Sequence, residues 1–277
     1  MGGTFVSGPP IFEVRDVSFA YENIPALRGT SLCIAPGQSV ALLGANGSGK
    51  STLLRLLNAL CFPSSGSVDF CGEPLTPNRL RDEKFAFSFR RQVGLVFQNP
   101  DVQLFNPTVF DEVAFGPLQM GWTSAEVIAR VNSTLDTMGI AHLRDRAPYR
   151  LSGGEKKRVA LASVIVLDPE VLLLDEPTSM LDPRSQSQLI DLIQNWKGTS
   201  KTVVTATHQL EIVEDIAERV VVLEQGSVIA AGAPSEILSN GELLLRANLV
   251  HAHRHKHGDM VHSHPHLHSH AKHEHEH

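Results

Sequence analysis

The sequence has little of several features, and each shortage excludes a class of protein. No apolar run approaches the roughly 20 residues of a membrane-spanning helix. The longest run, residues 159–167, is short and contains a serine. The first ten residues lack a basic stretch followed by an apolar one, so no signal peptide is expected. Basic residues are too few for a dedicated nucleic-acid-binding protein, because the net charge is -6 and phosphate backbones are held by clustered Lys and Arg.

Cysteine is also scarce. Cys33, Cys61 and Cys71 lie too far apart for a Cys-x-x-Cys motif, and three is an odd number. We therefore expect them to be small buried residues of a protein in a reducing compartment. The rest of the composition, 42% hydrophobic and 19% charged, is usual for a globular α/β protein.

Two changes of composition divide the chain. Residues 1–10 are rich in Gly and Pro and predict a flexible N-terminus. Residues 246–277 pass into His-x-His repeats, which bury too little apolar surface to fold alone and predict a flexible tail. Residues 11–245 between them predict one globular domain.

Within that domain, short apolar runs alternate with stretches of helical spacing. Continuously apolar runs are typical of strands that are buried on both faces of a mainly parallel sheet. Residues 11–19 alternate more and predict an antiparallel strand. The predicted buried strands are 40–43, 93–97, 171–174, 203–207 and 220–223.

The stretch from about residue 99 to 167 has a different pattern. Helical spacing occurs at 109–120, 123–138 and 152–167, and no convincing strand lies between these patterns. Thr123 and Glu126 fit a capping box at the start of the middle helix. This stretch predicts a helical subdomain inserted into the α/β core.

One turn carries a phosphate-binding motif. Residues 44–51 fit G-x-x-x-x-G-K-[ST], directly after a predicted strand and directly before a helix. Glycines let backbone N–H groups wrap around phosphates at a helix N-terminus. A glycine-rich turn without a ligand would not explain the Lys-Ser pair, in which Lys50 can bridge the β- and γ-phosphates and Ser51 can ligate Mg²⁺. The predicted nucleotide-binding residues here are Gly44, Asn46, Gly47, Ser48, Gly49, Lys50, Ser51 and Thr52.

A second motif places two carboxylates after the predicted strand 171–174. Ligands bind at this edge of open α/β sheets. We expect Asp175 to hold Mg²⁺, through a water, and Glu176 to polarise the attacking water. Solvated loop carboxylates would explain this pair alone, but not the pair together with the phosphate-binding turn. The two motifs predict a P-loop NTPase core.

Residues 151–155, Leu-Ser-Gly-Gly-Glu, resemble the signature of ATP-binding-cassette ATPases, and the resemblance spans about residues 11–238. In that family, the serine and glycines (here Ser152, Gly153 and Gly154) meet the γ-phosphate that the other subunit of a dimer binds. Ser152 and Glu155 also fit a capping box, and both interpretations can hold because a helix N-terminus attracts anions. Glu155 stands where many members carry Gln, which leaves its hydrogen bonding open.

The resemblance implies ATP and Mg²⁺ as cofactors and gives roles to four further residues. Tyr21 would stack on adenine, with an ordinary surface tyrosine as the alternative. Gln98 resembles the glutamine that senses Mg²⁺ and couples to the transmembrane partner, and His208 the histidine that contacts the γ-phosphate. Asp182 lies in the loop that acts across the dimer, and it also fits a helix N-cap before Pro183.

The stretch at residues 98–105 and 107–117 is similar to one typical of energy-coupling-factor transporters, prokaryotic importers of vitamins and transition-metal ions. In that family, the helical subdomain grips a coupling helix of the membrane subunit. The alternative is that Leu104, Phe105 and Phe115 are only subdomain core.

The tail suggests the cargo. Neutral imidazoles suit Ni²⁺, Cu²⁺, Zn²⁺ and Co²⁺. A purification tag would be an unbroken His run, whereas other residues intervene here; a low-complexity tail without a role remains the alternative. The predicted transition-metal ligands are His251, His253, His255, His257, His262, His264, His266, His268, His270, His273, His275 and His277.

Together these patterns predict an α/β fold: a P-loop NTPase core with an antiparallel β-subdomain, an inserted α-helical subdomain and a disordered His-rich tail. The predicted function is the ATPase of a cobalt or nickel importer, peripheral at the cytoplasmic face of the cell membrane. Its partners would be an identical or paralogous cassette, an integral membrane coupling subunit and a substrate-capture subunit, but no nucleic acid. The alternatives are a vitamin importer, a soluble cassette ATPase acting on DNA or ribosomes, and a metal-storage protein.

Overall fold

The structure, a computed structural model, describes residues 9–179 and 181–250, and the backbone of 252–257 and 260–265. The predicted flexible N-terminus lies almost wholly outside this part of the chain.

A six-stranded sheet forms the core. It consists of β3 (Ser39–Leu43), β6 (Val93–Val96), β7 (Val171–Asp175), β8 (Thr202–Thr207), β9 (Arg219–Glu224) and β10 (Ser227–Gly232), in the order β10-β9-β3-β8-β7-β6. All pairs are parallel except that of β10 with β9. Along β3, Val40 and Leu42 join one apolar cluster while Ala41 and Leu43 join another, so both faces are covered. The five buried strands predicted from apolar runs are confirmed.

A second, antiparallel sheet covers one face of the first. Its strands are β1 (Phe12–Tyr21), β2 (Ile24–Ile34), β4 (Ser65–Phe70) and β5 (Glu73–Pro74), in the order β2-β1-β4-β5. Phe12, Val14 and Phe70 pack into the same cluster as the leucines of helix α1 (Lys50–Leu57). The antiparallel strand predicted at 11–19 is confirmed, whereas the alternation did not predict the other three strands of this sheet.

The inserted helical subdomain is also confirmed. After α2 (Glu83–Gln92) come α3 (Val109–Gln119), α4 (Ser124–Thr137) and α5 (Gly153–Ile165), and the described chain from 99 to 167 contains no strand. Thr123 caps α4 in the predicted capping box. These helices enclose an apolar cluster of their own, which includes Val113, Val131 and Val159.

The remaining helices cover the other face of the central sheet: α6 (Pro183–Trp196), α7 (Val213–Ile216), α8 (Pro234–Leu238) and α9 (Gly241–Arg246). Ala247 and Val250 are buried in the same cluster, so the packed domain ends at Val250 rather than at the predicted 245. Within the described residues, no helix combines the length and apolarity that crossing a membrane requires.

Two other expectations differ from the structure. Cys33 and Cys71 are exposed rather than buried, because Cys33 points outward between the buried Leu32 and Ile34, and Cys71 occupies a turn. In the tail, β11 (Ala252–His257) and β12 (Met260–Pro265) pair as an antiparallel ladder where a coil was predicted. The ladder pairs main-chain N–H and C=O groups, which every non-proline residue carries whatever its side chain.

Candidate functional site

Three parallel strands deliver the predicted site residues to one edge of the central sheet. In the register of the sheet, Leu43 pairs with Thr207, and Asp175 pairs with Ala206. The turn after β3, the carboxylates at the end of β7 and His208 after β8 therefore lie side by side. This is the carboxyl edge at which α/β sheets bind ligands.

The phosphate-binding turn is built where only glycine fits. A Cβ on Gly44 would lie 2.5 Å from the carbonyl oxygen of Leu223 and 2.5 Å from Ser48 Oγ. Gly49 caps α1 at a φ of 106°, and a Cβ there would lie 2.7 Å from the carbonyl oxygen of Ala26. Helix α1 has no side-chain cap and no acidic residue in its first turn. Its free N–H groups and positive dipole end suit an anion.

Lys50 is buried at the centre of this turn, with 5% of its surface exposed. Its Nζ donates to the carbonyl oxygens of Gly44 at 2.7 Å and Ala45 at 3.1 Å, and lies 3.8 Å from Glu176 Oε1. Burial lowers the pKa of Lys50, while the carboxylates of Glu176 and Asp175 oppose that shift. The ammonium is thus held in place beside the phosphate-binding turn.

Ser51 and Asp175 form a pair of hard oxygen ligands. The Ser51 hydroxyl donates to Asp175 Oδ1 at 2.9 Å. Burial raises the pKa of Asp175, and the hydrogen bond from Ser51 lowers it. A hydroxyl and a carboxylate this close suit Mg²⁺, which takes few protein ligands beside nucleotide phosphates. The donor set therefore fits the predicted ion.

Glu176 is buried with a strained backbone, at φ 46°. Its Oε1 lies 2.8 Å from Nδ1 of His208. Its Oε2 is buried and has no hydrogen-bond partner among the described residues. A buried acceptor without a hydrogen bond reduces the stability of the folded chain by about 1–3 kcal/mol. Such an oxygen calls for an explanation, and a site for a hydrogen-bond donor of a bound molecule is one.

An open cavity of about 500 Å³ borders Lys50, Ser51 and Glu176, whereas Asp175 and His208 are not among its lining residues. Tyr21 stands at its wall, 40% exposed, with its hydroxyl accepting a hydrogen bond from Arg55 at 2.9 Å. The predicted residues that line the cavity are Tyr21, Asn46, Gly47, Gly49, Lys50, Ser51, Thr52, Gln98 and Glu176.

Two predicted sites stand apart from this cavity and serve as helix caps. Ser152 caps α5: its Oγ accepts from the N–H of Glu155, while Glu155 Oε2 accepts from the N–H of Ser152 at 2.8 Å. That backbone hydrogen bond, with one from the Ser152 hydroxyl, lowers the pKa of Glu155. Asp182 caps α6 by accepting from the N–H of Ser185 at 3.1 Å. Both capping interpretations are confirmed.

Gly153, next to Ser152, has open space where a Cβ would stand. The predicted contacts of Ser152, Gly153, Gly154 and Asp182 with a second subunit stay predictions. The twelve tail histidines lie outside the residues whose side chains the structure describes.

Sequence reasoning missed three polar residues around the turn at 97–106, of which Lys157 and Glu112 are buried and Gln103 is half-buried. Lys157, with 1% of its surface exposed, donates to the carbonyl oxygens of Phe97 and Gln98. Gln103 donates to the carbonyl oxygen of Ala160, and Glu112 accepts from the N–H groups that follow Leu104. The sequence contained one signal of the buried Lys157. This lysine lies four residues before Leu161 and therefore on the apolar side of a predicted helix.

Comparisons with known proteins identify the family of this chain. The family model described as ABC transporter matches residues 27–179. The nickel import ATP-binding protein NikO of Rhodobacter capsulatus is 53% identical over 244 residues, which cover 87% of this chain and 96% of the relative. The energy-coupling factor transporter ATP-binding protein EcfA2 of Methanospirillum hungatei is 43% identical, over 87% of this chain and 60% of the relative.

Solved structures share the fold. CbiO1 from Clostridium perfringens, described as part of the ABC transporter complex CbiONQ, superposes with a TM-score of 0.72 at 38% identity, over 87% of this chain and 95% of that one. The ATP-binding cassette MJ0796, in a dimeric post-hydrolysis state with ADP and Pi, has a TM-score of 0.73 at 26% identity, over 80% and 98%.

Proposed function

The chain belongs to the ABC transporter family as an ATP-hydrolysing subunit, and from that premise we propose that it powers the import of nickel or cobalt ions. The 53% identity with a nickel import ATPase supports this cargo. The 43% identity with EcfA2 supports an importer of the energy-coupling-factor kind, whereas the alternatives, a vitamin importer and a soluble cassette ATPase, are not favoured.

For the chemistry, the buried and unpaired Oε2 of Glu176 carries the proposal. This oxygen would accept a proton of the attacking water and orient it, while His208 holds the other oxygen of the carboxylate at 2.8 Å. Lys50 would bind the β- and γ-phosphates, and Tyr21 would stack on adenine. Phosphoryl transfer depends mainly on such positioning and on charge stabilisation.

Ser51, Asp175 and Gln98 would hold Mg²⁺. When bound, Mg²⁺ neutralises charge on the phosphate oxygens. The 2.9 Å bond between Ser51 and Asp175 keeps two of these side chains together before the ion arrives.

The active form would be a dimer of cassettes, identical or paralogous. Ser152, Gly153 and Gly154 lie at the capped N-terminus of α5, where Ser152 and Gly153 are exposed and none of the three lines their own chain's cavity, which suits contact with a nucleotide that a second cassette binds. MJ0796 forms a dimer, which supports this arrangement.

The helical subdomain would contact the membrane subunit. Phe105 and Phe115 are 68% and 41% exposed and pack edge to face with ring centroids 5.1 Å apart. Leu118, also exposed, extends this apolar patch, whereas Leu104 packs against the core as the alternative interpretation expected. The chain would be peripheral at the cytoplasmic face of the membrane, with a separate subunit capturing the ion.

Replacing Glu176 with Gln tests the chemistry. Glu176→Gln should bind ATP as the wild type does, lose about 10²-fold or more in hydrolysis rate and accumulate as a nucleotide-bound dimer. Phosphate release, ATP titration and size-exclusion chromatography measure the three effects. Glu170→Gln, a change to an exposed carboxylate before β7, is the matched control and should leave all three unchanged. Wild-type turnover by Glu176→Gln would refute the assignment.

A further inference from the structure

Lys157 is a buried cation with an unusual set of partners. Its Nζ donates to the carbonyl oxygens of Phe97 at 3.1 Å and Gln98 at 2.9 Å. Among the described residues, no carboxylate lies within ion-pairing distance of it. Burial lowers the pKa of Lys157 to about 8, with the more distant Asp175 and Glu176 opposing the shift. An ammonium group buried without an ion-pair partner opposes folding, so its presence calls for a role.

The two carbonyl groups lie where the chain leaves the central sheet for the helical subdomain. Strand β6 ends at Val96, and Gln98, two residues later, lines the nucleotide cavity. Lys157 lies on α5, whose capped N-terminus is Ser152. At 1.5 Å per residue, Ser152 and Lys157 are only about 7–8 Å apart along the helix axis. One lysine thus connects the helix of the signature motif to the main chain that carries Gln98.

Other side chains fasten the same turn to α5. Gln103 Oε1 accepts from the N–H of Phe97 at 3.2 Å, and its Nε2 donates to the carbonyl oxygen of Ala160 at 2.8 Å. Both main-chain groups of Phe97 are therefore bonded to side chains that are anchored on α5. The exposed pair Lys156–Asp101, at 2.6 Å, adds an outer contact.

We propose that Lys157 is a positioning residue for ATP hydrolysis, which holds the main chain of Phe97 and Gln98 on α5 so that the Gln98 side chain stays directed into the nucleotide cavity. The inference rests on the proposed function. Through these bonds Gln98, helix α5 and the exposed Phe105 would move together. A displacement where the membrane subunit contacts Phe105 would then also displace Gln98.

Lys157→Met tests the proposal because methionine keeps the length of the side chain and removes its donors and its charge. Turnover should fall about 10- to 100-fold, the effect of misplacing a catalytic group by about 1 Å. ATP affinity should stay within about twofold, since the hydrogen bonds of Lys157 go to Phe97 and Gln98 and, among the described residues, none joins it to the phosphate-binding turn. Lys201→Met is the control: the half-buried Lys201 donates to the carbonyl oxygens of Asp168 and Pro169 at 3.0 and 2.9 Å and forms an ion pair with the Asp168 carboxylate at 2.8 Å, and its loss should not change turnover.

The decisive measurement is a double-mutant cycle with Gln98→Ala. If Lys157 acts through Gln98, adding Lys157→Met to Gln98→Ala slows turnover no further, whereas independent effects multiply. Multiplying effects, or wild-type turnover by Lys157→Met, would overturn the proposal.

Lys157→Gln, which removes the charge and keeps N–H donors, is a second variant, and the same cycle criterion applies to it if Lys157→Met does not fold. Glu176→Gln is measured alongside. If Glu176→Gln hydrolyses ATP normally, the proposed function fails. If it does not, but the cycle is additive, only the role of Lys157 fails.

Discussion

Raising the pH should stabilise the wild-type chain relative to Lys157→Met. The pKa of Lys157 lies at about 8 in the folded chain, against 10.5 for an ordinary lysine. Below pH 8 the folded and unfolded chains both carry the proton, and the folded chain bears the full cost of the buried charge. Between the two pKa values the unfolded chain binds more protons, so stability rises with pH.

The size of the effect follows from the shift. The fall of the Lys157 pKa from 10.5 to about 8 corresponds to about 3 kcal/mol in the free energy of unfolding. About 2 kcal/mol of this is gained by pH 9.5. A neutral amine still has two N–H donors, so both bonds to Phe97 and Gln98 persist after the proton leaves. At pH 7 the methionine variant loses the buried charge but leaves two carbonyl groups without donors. These opposing terms should leave its stability within about 2 kcal/mol of the wild type.

Urea unfolding of both proteins at pH 7.0 and 9.5, without nucleotide and followed by two probes, measures the difference. Burial also lowers the pKa of Lys50 and raises the pKa of the three cysteines, but their contribution cancels between the wild type and the variant. The free energy of unfolding of the wild type should gain about 2 kcal/mol over that of Lys157→Met between the two pH values. An equal response to pH in both proteins would refute the burial of a charged Lys157.

The remaining predictions concern the nucleotide, the membrane partner and the metal. Gly44→Ala should abolish detectable ATP binding in a titration, because its Cβ would lie 2.5 Å from a carbonyl oxygen; near-normal affinity would contradict the fit of the turn. Phe105→Ser should weaken co-purification with the membrane subunits and spare ATP binding, whereas Tyr149→Ser, at another exposed aromatic residue, should change neither; equal recovery would exclude the patch. Truncation after Val250 should leave hydrolysis intact and remove Ni²⁺ binding measured by calorimetry, which in the full chain should weaken below about pH 6.5. Unchanged Ni²⁺ stoichiometry would remove the tail as the metal site.

The sequence predicted those features that a short segment determines by itself. The phosphate-binding turn needs glycines at positions such as Gly44 and Gly49, and buried parallel strands need continuous apolar runs, so both leave local patterns. The capping box of Ser152 was likewise predictable from the sequence, since its partner Glu155 is only three residues away.

Features that depend on distant partners were not predictable in this way. Lys157 receives its role from carbonyl groups about sixty positions earlier in the chain, and no spacing rule encodes that contact. The pairing of Glu176 with His208 joins the ends of two strands that only the sheet order brings together. The burial of Cys33 was predicted wrongly because average behaviour of a residue type says nothing of which side of a strand it occupies.

The way in which the turn after β6 is fastened limits how this segment can be exchanged between related proteins. Its amides at Phe105 and Asn106 bond Glu112 on α3 at 2.8 and 2.7 Å, and its carbonyls bond Lys157 on α5. Consider a chimera in which only this turn comes from a related protein. The buried carboxylate of Glu112 and the buried ammonium of Lys157 would then face a main chain with a different conformation. Recombination that alters the choice of membrane partner should therefore succeed when the turn, the start of α3 and the first turns of α5 are transplanted together. We expect these three segments to be the smallest set whose exchange changes the membrane partner.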